Sequence, residues 1–267
     1  MAIKIVIANH KGGVGKTVTA VNTAHVLARR KYKVLLIDGD PQGNATMTLG
    51  GKPPFEYHSD NTLARVFFGE YLPLTELAIP TGYPNLDFIP NNVSIYSRLQ
   101  ALSTSSVRRF YGLEKSYQLS PDDYDFIIID TQPTLEGSLL TNALVTADYV
   151  VVPIEAESAY AISGIGDLVA LITTIKKEAE SKTDIIGYLL TKFDGRKNAC
   201  KIIQAAAKES FGEKMVFDSG IPLTTTINQA VMSNKPVCEF APEAPACKAY
   251  NGFVTQLLQR IEADKAQ

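Results

Sequence analysis

Seven consecutive residues, Lys11-Gly12-Gly13-Val14-Gly15-Lys16-Thr17, carry the clearest chemistry in the chain. Glycines this dense let successive backbone N–H groups turn inward on an anion, and a helix starting there adds its partial positive charge. Lys16 can then reach the outer phosphates of a nucleoside triphosphate, while the Thr17 hydroxyl is placed to ligate Mg²⁺. The strict spacing G-x-x-x-x-G-K-[ST] is not met, because His10 stands at the first glycine position. Gly12, Gly13 and the setting between an apolar run and a helical stretch still make the segment a phosphate loop rather than a turn that happens to hold lysine.

Two further segments place acids where such a loop needs them. Leu36-Ile37-Asp38-Gly39-Asp40-Pro41 ends an apolar run in two carboxylates two residues apart, a spacing that points both the same way on extended chain. They are placed either to hold Mg²⁺ through water or to orient an attacking water. An ordinary Asp-Pro turn is the plain alternative, and proximity to the phosphate loop favours function. Phe126-Ile127-Ile128-Ile129-Asp130 reads as a buried strand that delivers one acid near the metal.

The elements that must position these residues are short β-branched runs: Ile3–Ala8, Val34–Ile37, Leu86–Pro90, Phe126–Ile129, Tyr149–Pro153 and Ile185–Leu190. Continuous apolar runs of this length fit strands buried on both faces. Between them lie helical spacings over Thr17–Arg30 and Ile162–Ala179, and Phe253, Leu257, Leu258 and Ile261 form the core stripe of a last helix. Strands alternating with helices predict an α/β fold, with a mostly parallel central sheet flanked by helices and ligands beyond the carboxyl ends of strands. At 267 residues and 45% apolar the chain can bury one large core, and no linker, repeat or low-complexity tract divides it. A single domain over 1–267 is expected, with no N-terminal helix-turn-helix before Ile3. No apolar run is long enough for a membrane span. Cys200, Cys238 and Cys247 lack metal-ligand spacing and are expected as reduced cytosolic thiols. Residues 192–267 hold ten basic and eight acidic residues, against an overall net charge of −2. A net positive segment has the sign that approach to a polyanion needs.

The phosphate loop resembles the deviant Walker A loop of the ParA/MinD family of P-loop ATPases, and similar stretches run through nearly the whole chain. Asp38-Gly39-Asp40-Pro41-Gln42-Gly43-Asn44 is similar to the family's switch segment, and Asp130-Thr131-Gln132-Pro133 to its D-T-P-P segment. The resemblance implies a P-loop fold, with ATP and Mg²⁺ as ligands. The nucleotide would lie on Lys11, Gly12, Gly13, Val14, Gly15, Lys16, Thr17 and Val18 with Asp38 and Asp130. The metal would lie on Thr17, Asp38 and Asp130. Catalysis would fall to Lys16, to Asp40 and to Lys11, the signature lysine that reaches across a homodimer formed on ATP. Two positions depart from the family pattern: Val18 replaces a common second threonine, and Gln132 replaces a proline.

The resemblance further implies a ParA-type partition or positioning ATPase, cytoplasmic and nucleoid-associated with ATP. It would bind double-stranded DNA non-specifically and be released when a ParB-like adaptor stimulates slow hydrolysis. Where the family has arginines after an Ile-Pro, Ile221-Pro222 is followed by Leu223 and threonines. Arg196, Lys197 and Lys201 are therefore the DNA-contact candidates, against the plain reading of solvated surface charge. A cobyrinate-type amidase on the same scaffold is the alternative. A membrane-bound relative is excluded, because the segment from Leu257 onward ends in acids and small residues rather than a basic amphipathic face. A metal-cluster reductase is set aside for want of suitably placed cysteines.

Overall fold

The computed structural model describes residues 1–266 apart from 69, 70, 103, 104 and 159. In chain order the first half contains β1 (Ile3–Ile7), α1 (Lys16–Arg29), β2 (Val34–Gly39), α2 (Asn44–Gly50), β3 (Ile79–Pro80), β4 (Leu86–Ile89), α3 (Ser94–Ala101), α4 (Arg108–Tyr117) and β5 (Phe126–Thr131). It continues with α5 (Ser138–Thr146), β6 (Tyr149–Glu155), α6 (Ile165–Glu178), β7 (Asp184–Thr191), α7 (Asn198–Phe211), α8 (Thr225–Met232), α9 (Val237–Phe240) and α10 (Pro245–Lys265). All six expected strands are present, with ends within two residues of the sequence reading. The helix expected from Ile162 begins at Ile165, because Gly164 just before it is left-handed (φ 87°).

The strands form one sheet in the order β3-β4-β2-β5-β1-β6-β7. Every pair is parallel except β3 with β4. The antiparallel β3 was not legible in the sequence. It has two residues, and Pro80 brings no N–H to a ladder, which suits a sheet edge and nothing longer.

Alternation along the strands divides the core in two. Val6, Leu35, Ile37, Ile127 and Ile129 face one side, together with apolar residues of α3 to α6. Ile5, Ile7, Val34, Leu36, Phe126 and Ile128 face the other, against α1 and the α8–α10 segment. Asp38 and Asp130 continue the even-numbered rows of β2 and β5, so the pleat turns both toward the α1 side. They are also direct partners in the β2–β5 register, and Ile7 pairs with Asp130 on the opposite flank. Three strand ends therefore deliver the phosphate loop and both acids to one edge of the sheet.

In α10 the expected stripe is buried at Phe253, Leu257 and Ile261, joined by Val254, while Leu258 packs half-buried against the same core. The cysteines correct the expectation of three free thiols. Cys238 in α9 and Cys247 in α10 form a disulfide, and Cys200 is a buried free cysteine. The turn between the helices folds α10 back on α9, which brings two residues nine apart in sequence to a Cα–Cα distance of 4.8 Å. Spacing alone gave no sign of it.

A cross-link closing so short a loop stabilises by about 2–3 kcal/mol. The Cys238→Ser variant is expected to unfold roughly 5–10 °C below the wild type under non-reducing conditions. The measurement is calorimetric unfolding with and without reductant; a midpoint insensitive to both would mean that the bond does not form in solution.

Candidate functional site

The loop between β1 and α1 is built by side chains that tie it to neighbouring strands. Asn9 is buried; its Nδ2 donates to the Pro153 carbonyl (2.7 Å) and its Oδ1 accepts from the Lys11 N–H (3.0 Å). Thr191 Oγ1, at the end of β7, donates to the Val14 carbonyl (2.9 Å). Gly15 is left-handed (φ 84°) and opens α1, a conformation that a side chain would resist. No neighbouring atom stands within 4 Å of where a Cβ would lie on Gly12 or Gly13, so their backbone faces open space. This is a rigid frame with an accessible N–H-lined hollow, which suits an anion.

Lys16 is 6% exposed, and its Nζ donates to the Lys11 carbonyl (2.8 Å), curling back over its own loop. Burial lowers its pKa, partly offset by Asp130 and then Asp40. Lys11 behaves differently. Its ammonium leaves the loop and donates to the Tyr160 carbonyl and to Ser158 Oγ (3.5 Å), above the Tyr160 ring. The two lysines of one loop thus serve different neighbourhoods. Val18 is half-buried on the first turn of α1, and its carbonyl accepts from Asn22 Nδ2 (2.8 Å).

The acids are the most constrained part. Asp38 is fully buried, with Oδ1 accepting from the Asp40 N–H (3.1 Å) and Oδ2 from the Thr46 N–H (2.7 Å) and hydroxyl (2.6 Å). Burial pushes its carboxyl above the usual range, against the pull of the Thr46 hydrogen bonds. Asp130 is also fully buried. Its Oδ1 accepts from the Thr131 N–H (3.0 Å), while its Oδ2 has no partner. Burial, and then Asp38 alongside, raise its pKa well above the ordinary value, and Thr17 and Lys16 offset this only in part. A buried, unpaired carboxylate oxygen beside a second acid and a threonine hydroxyl fits a cation. Asp38, the register partner of Asp130, has both oxygens engaged by hydrogen bonds within the chain. Asp40 is nearly buried beyond the strand end, and its Oδ1 accepts from the Gln42 N–H (2.9 Å). Gly39 lies between the acids on β2; a Cβ there would collide with the Asp130 carbonyl oxygen, so the close approach of β5 requires glycine.

A cleft of about 670 Å³ opens from Gly12, Lys16 and Asp40 along α1 toward Val231, Met232 and Lys235. Its far wall is pinned by Asn22, whose Oδ1 accepts from the Val237 N–H (2.7 Å). Thr46 and Asn22 were not singled out in the sequence, because only the tertiary structure gives each its partner.

Arg196, Lys197 and Lys201 cluster at the start of α7, at the carboxyl side of β7. Arg196 makes a bidentate pair with Asp194 through Nε (3.0 Å) and Nη2 (2.9 Å). Lys197 pairs with Glu157, and Lys201 is exposed. The patch therefore carries two acids that the sequence reading left out of account.

A family profile described as an AAA domain matches residues 2–185. The chromosome-partitioning ATPase Soj of Thermus thermophilus is 34% identical over 97% of this chain and 96% of its own length. The chromosome partitioning protein ParA of Caulobacter vibrioides is 32% identical over 96% and 94%. Among solved structures, cobyrinic acid a,c-diamide synthase from Mycobacterium smegmatis, with bound ATP analogue and magnesium, superposes with a TM-score of 0.82. That likeness is at 25% identity over 99% of this chain and 97% of the other.

Replacing Thr46 by Val keeps the shape, removes the hydroxyl that donates to Asp38, and strips the buried Asn91 N–H of its acceptor (2.9 Å). A loss of about 1–3 kcal/mol is expected, read as a lower urea midpoint at unchanged slope. An unshifted midpoint would mean that Asp38 is not held in the way described.

Proposed function

Because the chain belongs to the ParA/MinD family of P-loop ATPases, we propose that it is a partition- or positioning-type ATPase. ATP and Mg²⁺ bring two copies together, the dimer binds duplex DNA without sequence preference, and a ParB-like adaptor triggers hydrolysis and release. Cargo delivery would alternate between a nucleoid-associated ATP form and a free ADP form in the cytoplasm.

The observation that carries this reading is the divergence of the two lysines. Lys16 bends into its own loop beside Asp130 and Asp40, where it would neutralise the β- and γ-phosphates. Lys11 is directed out of the loop onto Ser158 and Tyr160 and is not spent on its own phosphate hollow. A second cation so placed is available for phosphates held by a partner copy. In the reading, the N–H groups from Gly12 to Val18 hold the phosphate chain, and Thr17 with Asp130 would hold Mg²⁺, Asp38 keeping Asp130 in place. The metal would supply charge neutralisation on the β- and γ-oxygens. Asp40, fixed through Gln42 just past the strand, orients the attacking water.

For DNA, Arg196, Lys197 and Lys201 supply the contact. In the free chain two of them are paired with acids at the surface, and exposed pairs of this kind contribute little, so DNA phosphates can displace them. Dimerisation makes the contact bivalent, which compensates for a small basic patch. An ATP-dependent amidase is a second reading, supported by the likeness to the diamide synthase. It requires ATP-dependent amidation of a carboxylic acid, with ATP turnover indifferent to DNA and adaptor.

Two outcomes are expected. Asp40→Ala should bind ATP normally and accumulate as a dimer, while Lys11→Ala should bind ATP yet remain monomeric; light scattering with ATP decides. A Lys11→Ala dimer at wild-type strength would sink the cross-subunit role. In fluorescence anisotropy, the Asp40→Ala ATP dimer should bind two unrelated duplexes equally. Its slope of log K against log salt should flatten by about two to three units for each copy engaged when Arg196, Lys197 and Lys201 become Glu. No binding at low salt would overturn the DNA role.

A further inference from the structure

The two catalytic loops are joined by a run of hydrogen bonds and short backbone stretches that returns on itself. It starts at Asp38, where β2 ends. Thr46 of α2 donates to Asp38 through its N–H and hydroxyl, and its hydroxyl oxygen accepts from the Asn91 N–H (2.9 Å), just beyond β4. Asn91 Oδ1 accepts from the Asn92 N–H (2.9 Å), and Asn92 Oδ1 accepts from the Ser94 N–H (2.9 Å), the first residue of α3. Asn92 Nδ2 also anchors the run to the Tyr57 carbonyl (2.8 Å). Two residues along α3, the Tyr96 hydroxyl donates to Gln132 Oε1 (3.1 Å). Gln132 stands two residues after Asp130, and Asp130 pairs with Asp38 across the sheet. The run thus closes a ring whose two ends are the strand ends that present the acids.

The links differ in kind. Asn91 is fully buried, Asn92 is 7% exposed and Thr46 is fully buried, so that side of the ring is part of the core. Tyr96 is 46% exposed and Gln132 half-buried, so their bond is the one link that can open without disturbing packing. Gln132 is also the first residue past β5, and the stretch beyond it turns back on itself before α5, with the Thr134 N–H donating to the Gln132 carbonyl (3.0 Å) and Leu135 packed half-buried against the core. The Tyr96–Gln132 bond ties the start of the loop over residues 132–137 to α3, and the Asn91–Thr46 side of the run joins that helix start to Asp38.

We propose that Tyr96 and Gln132 are positioning residues for hydrolysis. Their hydrogen bond fixes the loop after Asp130 against the loop after Asp38, so that the metal-side acid and the water-orienting Asp40 keep one mutual geometry. Neither residue touches the reacting atoms; both act through the acids. The proposal rests on the reading of the chain as an ATPase. A single hydrogen bond of about 1 kcal/mol that is lost from the preorganised state corresponds to about a fivefold change in rate.

The test uses the full chain with Tyr96→Phe, Gln132→Leu and the double variant, each read in two ways. Without nucleotide, amide hydrogen exchange over residues 40–46 and over 131–137 should quicken together, by about fivefold, in each single variant. With ATP and Mg²⁺, single-turnover hydrolysis should slow about fivefold while calorimetric ATP affinity stays unchanged and the thermal midpoint falls by no more than about 2–4 °C. The double variant should be no slower than either single one, since both break the same bond. Exchange confined to one loop, additive losses in the double variant, or wild-type rates in Tyr96→Phe would each overturn the proposal. A wild-type protein that binds ATP but never hydrolyses it would instead overturn the ATPase reading, and this inference with it.

Discussion

Two carboxyl groups buried side by side at the ends of adjacent parallel strands constrain everything around them. Asp38 and Asp130 are fully buried and in register. Burial and mutual repulsion both raise the cost of ionising them, and a low-polarity interior offers little screening. The chain answers this unevenly. Asp38 receives three donors from Thr46 and Asp40, whereas Asp130 keeps one oxygen bare. A protein that wanted two inert acids would satisfy both. One saturated acid bracing one open acid is an arrangement that a cation completes.

The rest of the site follows from that asymmetry. Lys16 is held near Asp130 and Asp40 but donates to a carbonyl, not to a carboxylate, so it stays free to move onto phosphate. Glycine at position 39 lets the β5 backbone at Asp130 approach closely beside Asp38. The fold supplies these positions cheaply, because in a parallel sheet neighbouring strands end at the same edge and alternate residues face the same side. The phosphate loop, the switch acids and the open cleft along α1 therefore converge without any long-range adjustment.

Much of this was legible in residue types. The strands declared themselves as continuous β-branched runs, and each proposed site residue from Lys11 to Val18 lies on the loop or the first helical turn that the glycines announced. Asp38, Asp40 and Asp130 were visible because an acid ending an apolar run is costly unless it has a purpose. What escaped reading depends on partners that only the folded chain brings together. Thr46 is unremarkable until it meets Asp38, and Cys238 and Cys247 sit at an uninformative spacing until α10 folds back. Arg196 and Lys197 read as free positive charge, although Asp194 lies two residues before Arg196 in the same loop and Glu157, the partner of Lys197, comes from the stretch after β6. The short β3 and the succession of tight turns between Pro54 and Glu76 carry no periodicity at all.

If the bare oxygen of Asp130 is the place where the site is completed, nucleotide affinity must depend on a divalent cation through that residue. Calorimetric titration of ATP into the wild type and into Asp130→Asn, each with Mg²⁺ and with EDTA, measures this directly. The account predicts that Mg²⁺ strengthens wild-type binding by at least about tenfold, a difference of about 1.4 kcal/mol, and that the Asn variant loses most of that gain. Equal affinities with Mg²⁺ and EDTA in the wild type, or an undiminished Mg²⁺ effect in the variant, would contradict it.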